Sequence, residues 1–260
     1  MPQKTALITG ASSGIGAAFA TALAKSGHDL ILVARSEAKL EQLAVALKVA
    51  HQCKVAVIPA DLTEPDAASV LKAEVTRRRL QVEVLVNNAG FGSGGEFVDT
   101  DAQRNAEMIS LNAAAVVALS HAFLPAMLKK KSGAIINVAS TSAFQPLPYL
   151  ALYAATKAFV LSFSEALSGE VKAQGVKVLA LCPGPVDTPF FEATGKPEMK
   201  NMVPKPMMMD ADAVVTAALQ GLKQGKAVVV PGWPNKLTSF MPRLLPRRLM
   251  TAASGKLMKH

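Results

Sequence analysis

Short, almost wholly apolar runs alternate along the chain with longer stretches in which apolar residues recur every three or four positions. Seven such runs read as strands: Thr5–Thr9, Leu30–Ala34, Val55–Ile58, Glu83–Val86, Ala134–Val138, Val176–Leu181 and Ala227–Val230. Between the first two, Ile15 to Lys25 has helical spacing and is stopped by Gly27. The next helix opens at Ser36, with Leu40, Leu43 and Leu47 on one face and Glu37 and Glu41 on another. Pro65 and Asp66 start a third helix, and long helices are expected at Met108–Leu128 and Tyr153–Gln174. Strands this uniformly apolar are buried on both faces, which requires a parallel sheet covered by helices. The alternating order predicts a single α/β domain, a doubly wound parallel sheet of about seven strands with right-handed crossovers.

Composition narrows the function classes. Half of the 260 residues are hydrophobic and 18% are charged, so the chain can bury a core and is not disordered. Two cysteines, Cys53 and Cys182, cannot form a disulfide framework, and no Cys-x-x-Cys pair or histidine spacing suits a metal. No metal site is expected. The apolar run Ala6–Ile8 is too short for a signal core, and Met108–Leu128, free of charge, reads as a buried helix because it contains Asn112, His121 and Pro125. The cytoplasm is the expected compartment.

The net charge of +9 is concentrated at one end. Residues 213–260 hold eight basic residues and no acid, whereas residues 1–212 hold 20 basic against 19 acidic. The chain therefore divides into a body, residues 1–235, and a basic amphipathic extension, residues 236–260.

The first strand runs straight into Gly10-Ala11-Ser12-Ser13-Gly14-Ile15-Gly16 and then a helix. Free N–H groups and partial positive charge at a helix start suit a pyrophosphate, and glycine admits the close approach. This order indicates dinucleotide binding and a Rossmann-type sheet. The spacing Thr-Gly-x-x-x-Gly-Ile-Gly resembles the cofactor loop of the short-chain dehydrogenase/reductase family. Asn87-Asn88-Ala89-Gly90, Asn112, Ser140, Tyr153, Lys157 and Pro183-Gly184-Pro185-Val186-Asp187-Thr188 follow in that family's order, so the resemblance spans residues 5–190.

The second strand ends in Ala34-Arg35, with no acid to bind the ribose hydroxyls of NAD. An arginine fork there suits a 2′-phosphate, so NADP(H) is the favoured cofactor and NAD(H) the alternative. Tyr153 and Lys157 are four apart on one helix face, where the ammonium is expected to favour phenolate and lower the tyrosine pKa. Tyr153 then exchanges a proton with a carbonyl or alcohol oxygen. The resemblance implies that Ser140 holds that oxygen, Lys157 also binds the nicotinamide ribose, and Asn112 bends its helix to support a relay water. It further implies that Ser12, Ser13, Asn88, Ala89 and Gly90 line the cofactor cleft, that Asp61 and Leu62 flank the adenine, and that Pro183, Gly184, Val186 and Thr188 meet the nicotinamide. Cys182 reads as a small buried hydrophobe.

The segment from Phe190-Phe191 to Met207-Met208-Met209, with Lys196, Lys200 and Lys205, suits an adaptable apolar pocket for a medium-sized ketone, aldehyde or acyl substrate, or else a surface loop. Pro242 and Pro246 break the tail into short helical pieces. The tail either packs over the pocket or on another subunit, the preferred readings, or rests on an anionic membrane surface. The resemblance implies a homodimer or homotetramer paired through the two long helices. A dinucleotide sensor without catalysis is the alternative function, and a nucleic-acid partner is disfavoured by the 13 aromatic residues and the lack of a reader motif.

Overall fold

A computed structural model describes residues 4–195 and 197–258; Lys196, named above for the substrate segment, lies outside the described residues. Seven parallel strands form one sheet in the order β3-β2-β1-β4-β5-β6-β7. They are β1 (Thr5–Thr9), β2 (Asp29–Ala34), β3 (Val55–Pro59), β4 (Val84–Asn87), β5 (Gly133–Val138), β6 (Val176–Leu181) and β7 (Val228–Val229). The helices are α1 (Gly14–Lys25), α2 (Glu37–His51), α3 (Ala67–Arg77), α4 (Ala102–Ile109), α5 (Ala115–Lys130), α6 (Ala151–Val171), α7 (Phe190–Ala193), α8 (Ala211–Lys223), α9 (Trp233–Phe240) and α10 (Arg247–Met258).

Successive residues of each central strand feed different cores, which is why the strands read as unbroken apolar runs. Ile8, Leu32, Val86, Ile136 and Leu179 pack with Phe19 and Leu23 of α1, Leu40 of α2 and Val214 of α8. Their neighbours Leu7, Ile31, Leu85, Ile135 and Val178 pack on the other face with Leu71 of α3 and Leu119, Phe123 and Met127 of α5. Phe19 and Phe123 are 0% and 2% exposed, and each such side chain contributes about 1.5–3 kcal/mol by leaving water. Cys182 is buried among Val116, Ala139, Val160 and Ala180, an apolar filler as expected.

The expected helix over Met108–Leu128 is longer and interrupted. It begins at Ala102, where the Asp101 side chain accepts the Arg104 N–H at 2.6 Å, and passes through a π-helical segment at Ser110–Ala114 before α5. By length and composition Ala102–Lys130 is apolar enough to cross a membrane, but Met108, Val116, Leu119, Phe123 and Met127 are buried in the protein. The third helix starts at Ala67, with Asp66 rather than Pro65 at its N-cap. In the tail, Pro242 lies in a 3₁₀ turn at Met241–Arg243 and Pro246 precedes α10, so the two prolines do separate short helices.

One polar chain crosses the centre of this apolar frame. Asn87 at the end of β4 donates to Asn137 Oδ1 at 2.9 Å and Ser120 Oγ at 3.2 Å, and Asn137 donates to Ser164 Oγ at 2.9 Å. It ties β4 and β5 to α5 and α6, which carry the candidate site. Replacing Asn137 by Ala takes one hydrogen bond each from the Asn87 amide, which keeps Ser120, and the Ser164 hydroxyl, which keeps the Val160 carbonyl, so stability should fall by about 1–3 kcal/mol. Thermal unfolding followed by circular dichroism checks this. A loss no larger than that of an exposed Asn→Ala control would refute it.

Candidate active site and cofactor cleft

The chain builds β1, β2 and β3 outward, then returns to place β4 on the other side of β1. That reversal opens a crevice at the carboxyl ends of β1 and β4, the place where such sheets bind ligands. Thr9 closes its floor. Its hydroxyl accepts the Asn88 and Ala89 N–H groups at 2.9 and 3.0 Å and donates to the Val86 carbonyl, while Asn88 Nδ2 donates to the Thr9 and Gly10 carbonyls.

The loop above this floor tolerates only glycine at its tight points. Gly10 has a φ of 64°, and a Cβ there would lie 2.8 Å from Asn88 Nδ2; one on Gly16 would collide with the Gly10 carbonyl. Ser13 stands at the N-cap of α1 without using its hydroxyl to cap it, and the first turn holds no acid. Ser12 and Ile15 are half-buried beside it, Ile15 against the core. A close backbone approach at an uncapped helix start fits a pyrophosphate. Thr188 arrives from the loop after β6, its Cγ2 3.0 Å from where a Cβ of Gly14 would be.

At the adenine end, Arg35 follows β2 with its side chain 77% exposed and Nη1 4.0 Å from Asp61 Oδ2. Burial pushes the Asp61 carboxyl up, but Thr63, through its N–H and hydroxyl, and the Arg35 charge outweigh it and hold it below the ordinary value. Leu62 is 5% exposed within the core, so its side chain is not offered to a ligand. Val186 is likewise buried, and pairs with Met209 instead.

Ser140, Tyr153, Lys157 and Asn112 converge at the carboxyl end of β5. Ser140 stands beside the Tyr153 phenol, where its hydroxyl favours the ionised form, and accepts the Ser142 N–H at 3.1 Å. Lys157 is buried; its Nζ donates to the Val138 carbonyl at 2.8 Å and lies 5.7 Å from the Tyr153 ring centroid. Gly90 fits between: a Cβ there would sit 2.8 Å from Asn112 Oδ1 and 3.4 Å from Lys157 Nζ.

One expectation changes: whatever Lys157 contributes, the tyrosine pKa does not come down. Burial pushes Tyr153 up to about 12 against the Ser140 hydroxyl, and burial takes Lys157 down to about 8. Desolvation outweighs an ammonium turned towards a carbonyl. Asn112 is fully buried in the π-helical segment, and its amide donates to the Phe91 carbonyl and Thr156 Oγ1 and accepts the Phe91 N–H. Its side chain is thus a clamp between α6 and the loop after β4, set in the segment that interrupts the α-helical course of this stretch.

Thr156 carried no signal in the sequence beyond its type, whereas Thr9 opens the glycine motif and Phe190 the expected substrate segment. Phe190 of α7 lies over Tyr153, ring centroids 5.4 Å apart, and a Cβ on Gly92 would come within 3.5 Å of both side chains. Tyr149 takes a φ of 66°, rare for a non-glycine residue, and its carbonyl accepts the Gly95 N–H at 2.9 Å beside this cleft. Pro183 accepts the Thr141 N–H, and Gly184 is roofed by Asn235 of α9, whose side chain would meet any Cβ there. Asn235 is fully buried, with Nδ2 donating to the Met207 carbonyl and Oδ1 left without a partner among the described residues.

Comparison with known proteins agrees with this geometry. The short chain dehydrogenase family matches residues 4–199. An uncharacterised oxidoreductase of Staphylococcus epidermidis is 36% identical over 219 residues, 84% of this chain and 92% of its own length. Among solved structures, a short-chain dehydrogenase from Sphingobium yanoikuyae in complex with NADPH is 34% identical, with 95% of each chain covered and a TM-score of 0.83. The bulky-bulky ketone specific alcohol dehydrogenase from Comamonas testosteroni is 32% identical, with 94% of each chain covered and a TM-score of 0.79. With its seven-stranded sheet and glycine loop, the chain belongs to the short chain dehydrogenase family and is an oxidoreductase of that family.

Proposed function

We propose that the protein reduces the carbonyl group of a medium-sized apolar ketone, aldehyde or acyl substrate, with NADPH preferred over NADH. The observation that carries this reading is Tyr153 set between Ser140 and the buried Lys157 at the carboxyl end of β5, beside the cofactor cleft, with burial keeping its phenol neutral. A neutral phenol is the form that donates a proton to a carbonyl oxygen. The bound nicotinamide supplies a hydride to the carbonyl carbon. Ser140 holds the substrate oxygen against Tyr153 Oη, and Tyr153 delivers its proton to that oxygen. Lys157, while charged, stabilises the phenolate that remains. Gly10, Ser12, Ser13, Gly14, Ile15 and Gly16 with Asn88, Ala89 and Gly90 would hold the pyrophosphate side. Pro183, Gly184, Thr188 and the main chain of Val186 would hold the nicotinamide side.

Arg35 supports the NADPH preference, because it is exposed, no acid ends β2, and Asp61 stands near enough to orient the guanidinium. An apolar substrate is supported by the Phe190 ring over Tyr153 and by the ketone specificity that the Comamonas relative bears in its name. Ile109 at the end of α4 and Phe159 on α6, 48% and 46% exposed, support a homo-oligomer.

Three measurements test the reading. Tyr153→Phe should lower kcat/KM for carbonyl reduction about 100- to 10,000-fold and leave NADPH affinity unchanged, as followed by nicotinamide fluorescence. Undiminished turnover would remove Tyr153 from the chemistry, while intact binding without turnover in the wild type would favour a sensor. Arg35→Ala should weaken NADPH by about tenfold or more, and NADH by much less; equal losses would end the cofactor argument. Lys157 is charged below about 8 and Tyr153 is protonated throughout that range. Reduction should therefore be level at lower pH and decline as pH rises through about 8. A reduction rate that climbs over the same interval would contradict the assignment.

A further inference from the structure

Helix α9 turns its polar side inward. Asn235 and Ser239 face the body at 0% and 6% exposure, whereas Trp233, Leu237 and Phe240 are 74%, 54% and 50% exposed. With Lys236 they occupy positions i, i+3, i+4 and i+7, so the outer face is one continuous stripe. The stripe continues through Leu244, Leu245 and Leu249, each at least 40% exposed, into α10. Helix α10 does dock on the body, since Ser254 is buried and donates to the Pro146 carbonyl at 3.1 Å. That docking leaves the apolar row uncovered. A single exposed apolar side chain is ordinary, but a contiguous row of them marks a contact surface.

The charges beside the row say what covers it. Lys236, Arg243, Arg247 and Arg248 are exposed, and none has an ion-pair partner among the described residues. No acid occurs anywhere after Asp212. A second copy meeting this face about a two-fold axis would set the same cations against one another. An anionic bilayer instead receives the apolar side chains at the depth of its head groups and pairs with the cations around them.

We propose that α9 and the start of α10 form a peripheral docking surface for an anionic lipid bilayer. It stands independently of the reaction assigned above.

The sequence supplies its own probe, because Trp233 is the only tryptophan. Added to the full-length protein at low salt, vesicles of phosphatidylcholine with phosphatidylglycerol should shift Trp233 emission to the blue and carry the chain upward in flotation. Vesicles of phosphatidylcholine alone should do much less, and raised salt should release the chain. Joint replacement Arg243→Glu, Arg247→Glu and Arg248→Glu should weaken partitioning by about tenfold or more. Leu237→Asn with Phe240→Ser should also weaken it and keeps Trp233 as reporter. Unchanged circular dichroism and NADPH binding establish that the variants fold. Absence of both the shift and flotation overturns the proposal, as does equal, salt-insensitive binding to both vesicle types. Concentration-dependent dimerisation that shields Trp233 from acrylamide and is abolished by Leu237→Asp would assign the row to a second copy, and also overturns it.

Discussion

The hydroxyl of Thr9 sits where β1 and β4 part, and the architecture around the cleft hangs from it. A doubly wound sheet exposes backbone N–H and C=O groups at its switch point, since the connections that leave the two neighbouring parallel strands turn in opposite directions. Thr9 takes the N–H groups of Asn88 and Ala89 and returns a hydrogen bond to Val86, and Asn88 answers with its own amide to the Thr9 and Gly10 carbonyls. Left unmade, each such bond at a part-buried site would cost about 1–3 kcal/mol. Made, they bring the glycine loop so close to Asn88 that Gly10 and Gly16 have no room for a Cβ. The loop that suits a pyrophosphate is therefore a consequence of how two strand ends are satisfied.

The same frame sets the acid–base character of the site. Neutral Asn and Ser side chains link β4, β5, α5 and α6 and bring no charge near Tyr153. The groups beside the phenol are Ser140, which stabilises phenolate weakly, and Lys157, whose ammonium is directed to the Val138 carbonyl. Burial then dominates both groups and drives them towards their uncharged forms. A tyrosine and a lysine pushed in this way part in proton affinity, from nearly equal ordinary values to about 12 and about 8, so the phenol keeps its proton over a pH range in which the ammonium gives its own up.

Much of this was legible in the sequence because the physics is local. Alternate residues of a buried strand serve opposite cores, so β1, β2, β5 and β6 read as apolar runs even though Ile135 and Ile136 never share a face. Tyr153 and Lys157 are legible through helical spacing, and the loop through its glycines. What could not be read depends on the third dimension. Helix α4 is eight residues long and mostly polar, too short for Ala102, Ala106 and Ile109 on one face to announce it. The π-helical segment at Asn112 has no compositional mark, yet it turns the amide into a clamp on Phe91 and Thr156. Lys157 looked like a charge that must act on its neighbour four residues away, until the Val138 carbonyl took up its ammonium. Asn235, more than eighty residues from Tyr153 and Ser140, was an unmarked polar residue at the last position before the basic extension.

That asparagine joins the tail to the chemistry. Asn235 lies flat on Gly184, where only a glycine leaves space, and donates to the Met207 carbonyl in the segment that precedes α8. Ser254 fixes α10 to the Pro146 carbonyl, three residues before the strained Tyr149. The inner side of the extension thus bears on three stretches around the site: the turn after β6, the segment around Met207 and the loop leading to α6. Its outer side presents tryptophan, leucine and phenylalanine among arginines. A helix with this inverted polarity gains little from burial against its own body, so the inner polar contacts must hold it in register while the outer face waits for a partner. Whatever seats on that face acts on a helix already hydrogen-bonded to the surroundings of the site.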